Sequence, residues 1–119
     1  MNEINQYVSD LRVYILQSKS KLLCNLGQME FDLSMLRAAK LIRYMHHSIV
    51  VSSGRKATHI EAARMVCKEI EKRGTGGEDM VARDSLLVLN ACLLIAPEEF
   101  LPNYPDALSS TSSTLPIDQ

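Results

Sequence analysis

The feature that most constrains this chain is an apolar run near its C-terminus. Between Leu86 and Ile95 every residue except Asn90 is apolar, and Pro97 follows shortly after. The run contains neither Gly nor Pro, and it predicts the second half of a helix that Pro97 ends. A surface helix needs an apolar stripe on only part of its circumference, so this helix must be covered on most sides. It is too short to span a membrane, which takes about 17 to 25 apolar residues.

Two arrangements can cover such a helix, and the sequence leaves both open. In the first, its neighbours in a monomer surround it. In the second, one face pairs with another copy of the chain. Leu87, Asn90 and Leu94 share a face by their spacing of three and four, and an isolated Asn on an apolar seam often sets the register between helices. We therefore predict a homodimer whose interface contains Leu87, Asn90 and Leu94.

The first half of the chain carries the pattern of two more helices. From Ile4 to Leu26 apolar residues recur every three or four positions, with one gap at Ser18, which predicts an amphipathic helix that ends at Gly27. A second helix is predicted from Asp32 or Ser34 to about Ile49. The β-branched residues that follow and the Ser-Ser-Gly sequence after them predict a bend or loop.

The third helix has clear signals at both ends. Thr58 and Glu61 have the spacing of a capping box, and Gly74 is placed to end the helix. Glu78 and Asp79 suit the first turn of the fourth helix, which holds the apolar run. The sequence thus predicts an all-α, single-domain bundle of about four helices over residues 1–102. Residues 103–119 are rich in Ser, Thr and Pro and predict a disordered, flexible tail.

Charge is segregated along the chain. Residues 37–73 hold nine basic and three acidic residues, a net charge of +6, whereas residues 74–119 hold one basic and seven acidic residues, a net charge of −6. Attraction between helices accounts for this pattern in one interpretation, and a basic contact surface accounts for it in the other. The residues that we predict to form that partner-binding surface are Arg37, Lys40, Arg43, Arg55 and Lys56. The last two precede a helix N-terminus, where a phosphate or an acidic partner could bind.

Catalytic and metal-binding patterns are weak. The three cysteines, Cys24, Cys67 and Cys92, are widely spaced, which predicts buried reduced thiols and neither a zinc site nor disulfides. The adjacent pair His46-His47 points in directions about 100° apart on a helix and cannot share a metal as an i, i+4 pair can. The acidic pairs Glu78-Asp79 and Glu98-Glu99 suit helix starts. We therefore expect no enzyme activity, no metal and no cofactor.

These observations favour a small helical regulatory or adaptor protein that acts by binding another protein, as a homodimer. The alternative is a nucleic-acid-binding regulator that uses the basic residues of the second helix and the following loop. The sequence pI of about 6.3 and the lack of a helix-turn-helix pattern count against that alternative. The N-terminal residues do not resemble a signal peptide, so we expect a cytoplasmic protein without membrane contact.

Overall fold

Four helices form the part of the chain that the structure describes. A computed structural model describes residues 2–74 and 76–101, with side chains from Gln6 onward. The helices are α1 (Asn2–Leu26), α2 (Gln28–Ser53), α3 (His59–Arg73) and α4 (Gly77–Ile95), and a short 3₁₀ helix follows over Pro97–Phe100. The all-α, four-helix prediction is confirmed, and no strand occurs in these ranges. None of these helices has the length and apolar character needed to cross a bilayer. The predicted tail, 103–119, lies outside the described residues.

Helix α4 is the central element of the bundle. It packs against α1, α2, α3 and the 3₁₀ helix. Its fully or nearly buried residues are Leu87, Val88, Asn90, Ala91 and Cys92. Neighbours on several sides therefore cover the apolar run within one chain, and its apolar character is explained without a second copy.

The polar interruptions of α1 and α4 face each other. Asn90 is 4% exposed, and its Nδ2 donates to the Ser18 Oγ at 3.3 Å and to the Leu86 carbonyl at 2.8 Å. The Ser18 hydroxyl in turn donates to the Ile15 carbonyl at 2.8 Å. The gap in the apolar pattern of α1 thus lies where the apolar run of α4 presents its single polar side chain, and the two groups hydrogen-bond to each other.

The joint between α1 and α2 is one residue long. Gly27 has φ 81° and ψ 161°, a region that is essentially restricted to glycine, and its carbonyl accepts from the Phe31 N–H at 3.0 Å. Helix α2 therefore begins at Gln28, and the predicted start at Asp32 or Ser34 is wrong. Asp32 instead accepts a hydrogen bond from the Gln28 side chain at 2.8 Å.

The predicted bend after Ile49 is also wrong, because α2 continues to Ser53. Gly54 ends it in the left-handed conformation, with φ 68°, and its N–H donates to the Val50 carbonyl at 2.9 Å. A β-branched residue costs a helix less than about 0.7 kcal/mol. Burial of Ile49 at 8% exposure outweighs that cost locally.

The cysteines differ in exposure, and the prediction of three buried thiols is wrong for one of them. Cys92 is buried, Cys67 is half-buried and Cys24 is exposed. Burial raises the pKa of the Cys92 thiol to about 12, and it also raises the pKa of Cys67. Because the thiolate is the reactive form, these two residues are held in their unreactive state at neutral pH.

We expect a thiol reagent such as DTNB to modify Cys24 first in native buffer, Cys67 more slowly, and Cys92 only when the chain unfolds. The Cys24→Ser variant serves as the control, since it should lose the fast phase alone. Stopped-flow absorbance measures the phases. A Cys92 thiol that reacts as fast as Cys24 in the native protein would contradict its placement in the core.

Candidate functional site

The predicted basic residues lie on the surface in two groups. Arg37, Lys40 and Arg43 are exposed on α2, and Arg55 and Lys56 are exposed in the segment that follows its C-terminal end. The structure thus supports an exposed basic region along α2, with the two loop residues at one end of it.

Two of these five cations are already engaged within the chain. The Arg37 guanidinium lies 3.2 Å from the Glu30 carboxylate, and both side chains are more than half exposed. Arg55 forms a two-pronged pair with Glu61, which raises the pKa of Arg55 and lowers that of Glu61 through the hydrogen bonds between them. Among the described residues, no carboxylate lies within 4.0 Å of the charged groups of Lys40, Arg43 or Lys56. Of the five predicted residues, these three are the ones without an ion-pair partner among the described side chains.

The N-terminus of α3 does not offer the anion site that its sequence suggested. Thr58 caps the helix as predicted, because its Oγ1 accepts from the Glu61 N–H at 3.1 Å. The reciprocal half of the capping box is missing, since both carboxylate oxygens of Glu61 accept from Arg55 instead. The N–H groups of His59 and Ile60 are also occupied. The N–H groups of His59, Ile60 and Glu61 therefore all have acceptors within the chain.

The group that occupies the His59 and Ile60 N–H groups is the carboxylate of Glu99, from the 3₁₀ helix. Glu99 is 4% exposed, and its oxygens accept from the His59 N–H at 2.9 Å and the Ile60 N–H at 3.0 Å. The Nδ1 of His59 lies 2.8 Å from the same carboxylate and donates to it. A negative charge at the positive end of the α3 dipole is favourable, and here it is buried. Glu99 therefore connects the 3₁₀ helix to the start of α3.

A second histidine completes this junction. The ring of His46, on α2, stacks on the ring of His59 with centroids 4.1 Å apart, and its Nε2 donates to the Ala57 carbonyl at 2.9 Å. Three elements thus meet through His46, His59 and Glu99. Within the described residues, no group of three His, Cys, Asp or Glu side chains could hold a metal ion. The arrangement holds α2, α3 and the 3₁₀ helix together.

Sequence reasoning missed the role of Glu99. The sequence pattern places Glu98 and Glu99 at the start of their own short helix, but Glu99 caps a helix that begins forty residues earlier. No local signal reports such a pairing, because the two partners meet only after the bundle has formed.

The side of α2 that faces away from the bundle is exposed along the whole helix. Its core side holds the buried residues Phe31, Met35, Ala38, Ala39, Ile42 and Ile49. We call the opposite side the outer stripe, and its residues recur mostly at a spacing of three or four. Its members, all exposed, are Met29, Leu33, Leu36, Lys40, Arg43, Tyr44, His47 and Val51.

Large apolar side chains dominate both ends of the outer stripe. Met29 is 77% exposed, Leu36 60%, Tyr44 72% and Val51 65%. Single exposed apolar residues are ordinary, but several of them grouped on one side of a helix mark an interaction site. The spacing of Met29, Leu33 and Leu36 predicts that they share one side of the helix, but it does not show whether that side faces the core or water.

The three residues predicted to form a dimer face on α4 do not share an exposed face. Leu87 is 6% exposed and Asn90 is 4% exposed, because both pack inside the bundle. Leu94 is 63% exposed and lies, with Leu16 and Pro97, beside a surface depression of about 310 Å³. Of the three, Leu94 alone is available to a second copy.

Comparisons with known protein families, with curated proteins and with solved structures found no match to this chain.

Proposed function

We propose that this chain is a small helical regulatory or adaptor protein that acts by binding protein chains through the outer stripe of α2. The observation that supports the proposal is the row of exposed apolar side chains on a helix whose other side is fully used by the core. Contact with water makes such a row unfavourable, and a protein partner that covers it gains the free energy of apolar burial. No catalytic role is part of the proposal.

Protein binding accounts for the outer stripe better than nucleic-acid binding does. Nucleic-acid affinity comes mainly from several cations that contact phosphates, whereas the stripe holds only Lys40 and Arg43, which lie between Leu36 and Tyr44. Aliphatic side chains next to long cationic ones are typical of helix-helix contacts, in which the stems of Lys and Arg cover apolar surface. Arg55, which the nucleic-acid alternative needs, already pairs with Glu61.

The test of the proposed function is affinity capture from the native host, with a tagged chain and an untagged copy expressed together. We expect the wild type to retain at least one protein, either the untagged copy or another chain. Leu36→Asp combined with Tyr44→Asp should reduce that retention at least about tenfold, since apolar anchors dominate binding energy. Quantitative mass spectrometry measures the ratio.

The control is Met65→Asp, which places one carboxylate at an exposed apolar position of α3, and it is compared with Leu36→Asp alone as well as with the double variant. It should leave retention unchanged. If every retained protein binds the double variant as well as it binds the wild type, the outer stripe is not the binding surface and the proposal fails.

A titration with DNA and RNA distinguishes the proposed protein-binding role from the alternative, a nucleic-acid-binding regulator. At about 0.15 M salt, close to physiological ionic strength, we expect gel shifts no tighter than non-specific binding. Tight complexes that weaken steeply with salt, and that disappear in a Lys40→Glu, Arg43→Glu variant, would favour the nucleic-acid-binding regulator instead.

A further inference from the structure

The side chains of the outer stripe change in character along the helix, and this change limits which partner can cover the stripe. At the positions spaced alternately four and three residues apart, its N-terminal half presents Met29, Leu33 and Leu36 and its C-terminal half presents Lys40, Arg43 and His47. Tyr44 and Val51 flank the second group. Met29, Leu33, Leu36, Lys40, Arg43 and His47 follow the seven-residue repeat of two packed helices, in which two positions per repeat face the neighbouring helix. A partner helix must therefore be apolar opposite one half and able to cover cationic side chains opposite the other.

We infer that a second copy of this chain covers the outer stripe, with its α2 helix antiparallel to that of the first. The inference rests on the proposed function, because it names the partner of the same surface. In this arrangement Leu36 of one chain lies opposite Lys40 of the other, and Leu33 opposite Arg43. Met29 lies opposite His47, and the two-fold axis repeats every contact. The seam from Met29 to His47 is about 27 Å long at 1.5 Å per residue.

Charge decides the direction of the two helices. In a parallel pair, Lys40 would face Lys40 and Arg43 would face Arg43, and like charges at such positions repel. In the antiparallel pair each cation faces an apolar side chain, and its own aliphatic stem can pack there while the charged end reaches water. The cationic half of one helix thus covers the apolar half of the other.

A carboxylate at the edge of the seam adds complementary charge. Asp32 is exposed and follows the α2 N-terminus by one turn, and the antiparallel register brings it beside Arg43 of the other chain. Arg43 has no carboxylate within 4.0 Å in its own chain among the described residues. Arg37, which lies beside the outer stripe, comes near Arg37 of the second copy at the two-fold axis. The Glu30 carboxylate of the same chain lies 3.2 Å from each Arg37 guanidinium and offsets their repulsion.

Sedimentation of the purified full chain tests the inference. At about 100 µM we expect a dimer, and Leu36→Asp should weaken it at least about tenfold while the helical circular dichroism stays unchanged, because Leu36 is 60% exposed. Asp32→Arg should also weaken the dimer, because the new guanidinium would lie beside Arg43 of the other chain and repel it. Adding Arg43→Asp in the same chain restores opposite charges in both symmetric contacts and should restore the dimer. Glu69→Arg on α3 is the control for a charge change elsewhere.

Cysteine cross-linking then tests the direction, in a Cys24→Ser background. A mixture of Leu36→Cys and Lys40→Cys chains should form the mixed disulfide faster than either chain bonds to itself. Preferential Leu36→Cys self-linking would show a parallel pair and overturn the register.

A monomer in the sedimentation experiment, or a dimer unaffected by Leu36→Asp and Asp32→Arg, would overturn the inference. If the inference fails but the affinity capture retains another protein through the outer stripe, the proposed function still stands. If the capture retains no protein at all, the inference and the proposed function both fail.

Discussion

Replacing Leu87 with glutamate is expected to leave the chain without a cooperative unfolding transition. Leu87 is 6% exposed and packs in the core around the central helix. The substitution removes a buried apolar side chain, at about 2 to 5 kcal/mol for such truncations, and puts a carboxylate in its place at a position that is 6% exposed. Together these costs approach the whole stability of a small domain, about 5 to 15 kcal/mol. Thermal melts followed by circular dichroism measure the outcome.

The matched control is Leu94→Glu, seven residues further along the same helix. Leu94 is 63% exposed, so its carboxylate stays in water and the melting temperature should change little. Sedimentation of this variant also tests whether the surface around Leu94 contributes to self-association, which stays a prediction. A soluble, fully helical Leu87→Glu monomer would show instead that Leu87 faces a second copy, as its spacing with Asn90 and Leu94 first suggested.

Replacing Glu99 with alanine is expected to have the second largest effect. The substitution leaves two backbone N–H groups of α3 and the His59 Nδ1–H without their acceptor. Removing one partner of a buried, charged hydrogen-bond cluster costs about 3 to 5 kcal/mol. For a domain of this size, that corresponds to a fall in melting temperature of more than about 10 °C. Glu99→Gln keeps one acceptor oxygen and should lose less.

Glu98→Ala provides the control, since Glu98 is the exposed neighbour of Glu99 in the same 3₁₀ helix and carries the same charge. Its melting temperature should stay close to that of the wild type. Hydrogen exchange adds a local measurement, because the His59 and Ile60 amides should lose protection in Glu99→Ala before the rest of α3 does. Equal effects of the Glu98 and Glu99 variants would mean that net charge, and not the buried contact, sets the stability.

Local signals in the sequence predicted most of the fold correctly. Thr58 caps α3, and Gly74 ends it with φ 57°, because both features depend on residues within one helical turn. The apolar repeat of α1 likewise predicted its buried side, which includes Val8, Ile15 and Leu22. The errors at both ends of α2 arose where a single glycine, Gly27 or Gly54, determined the boundary and we relied on neighbouring residues.

The candidate binding surface could be predicted only in part. The basic residues of α2 were recognised from their charge, and they are exposed as expected. The apolar members of the outer stripe could not be separated from core residues by type, because Leu36 and Met35 are neighbours in sequence with similar side chains. Which of them faces water depends on where α3 and α4 pack, and only the assembled bundle shows it.

The sequence by itself determined the four helices, because periodicity, caps and glycine stops act over distances of a few residues. It also determined that α4 must be covered on most sides. Tertiary structure alone decided that the chain's own helices provide this cover, that Asn90 meets Ser18 across 72 residues, and that Glu99 caps a helix forty residues before it. Such contacts join groups that are far apart along the chain, so their geometry exists only after the helices have packed together.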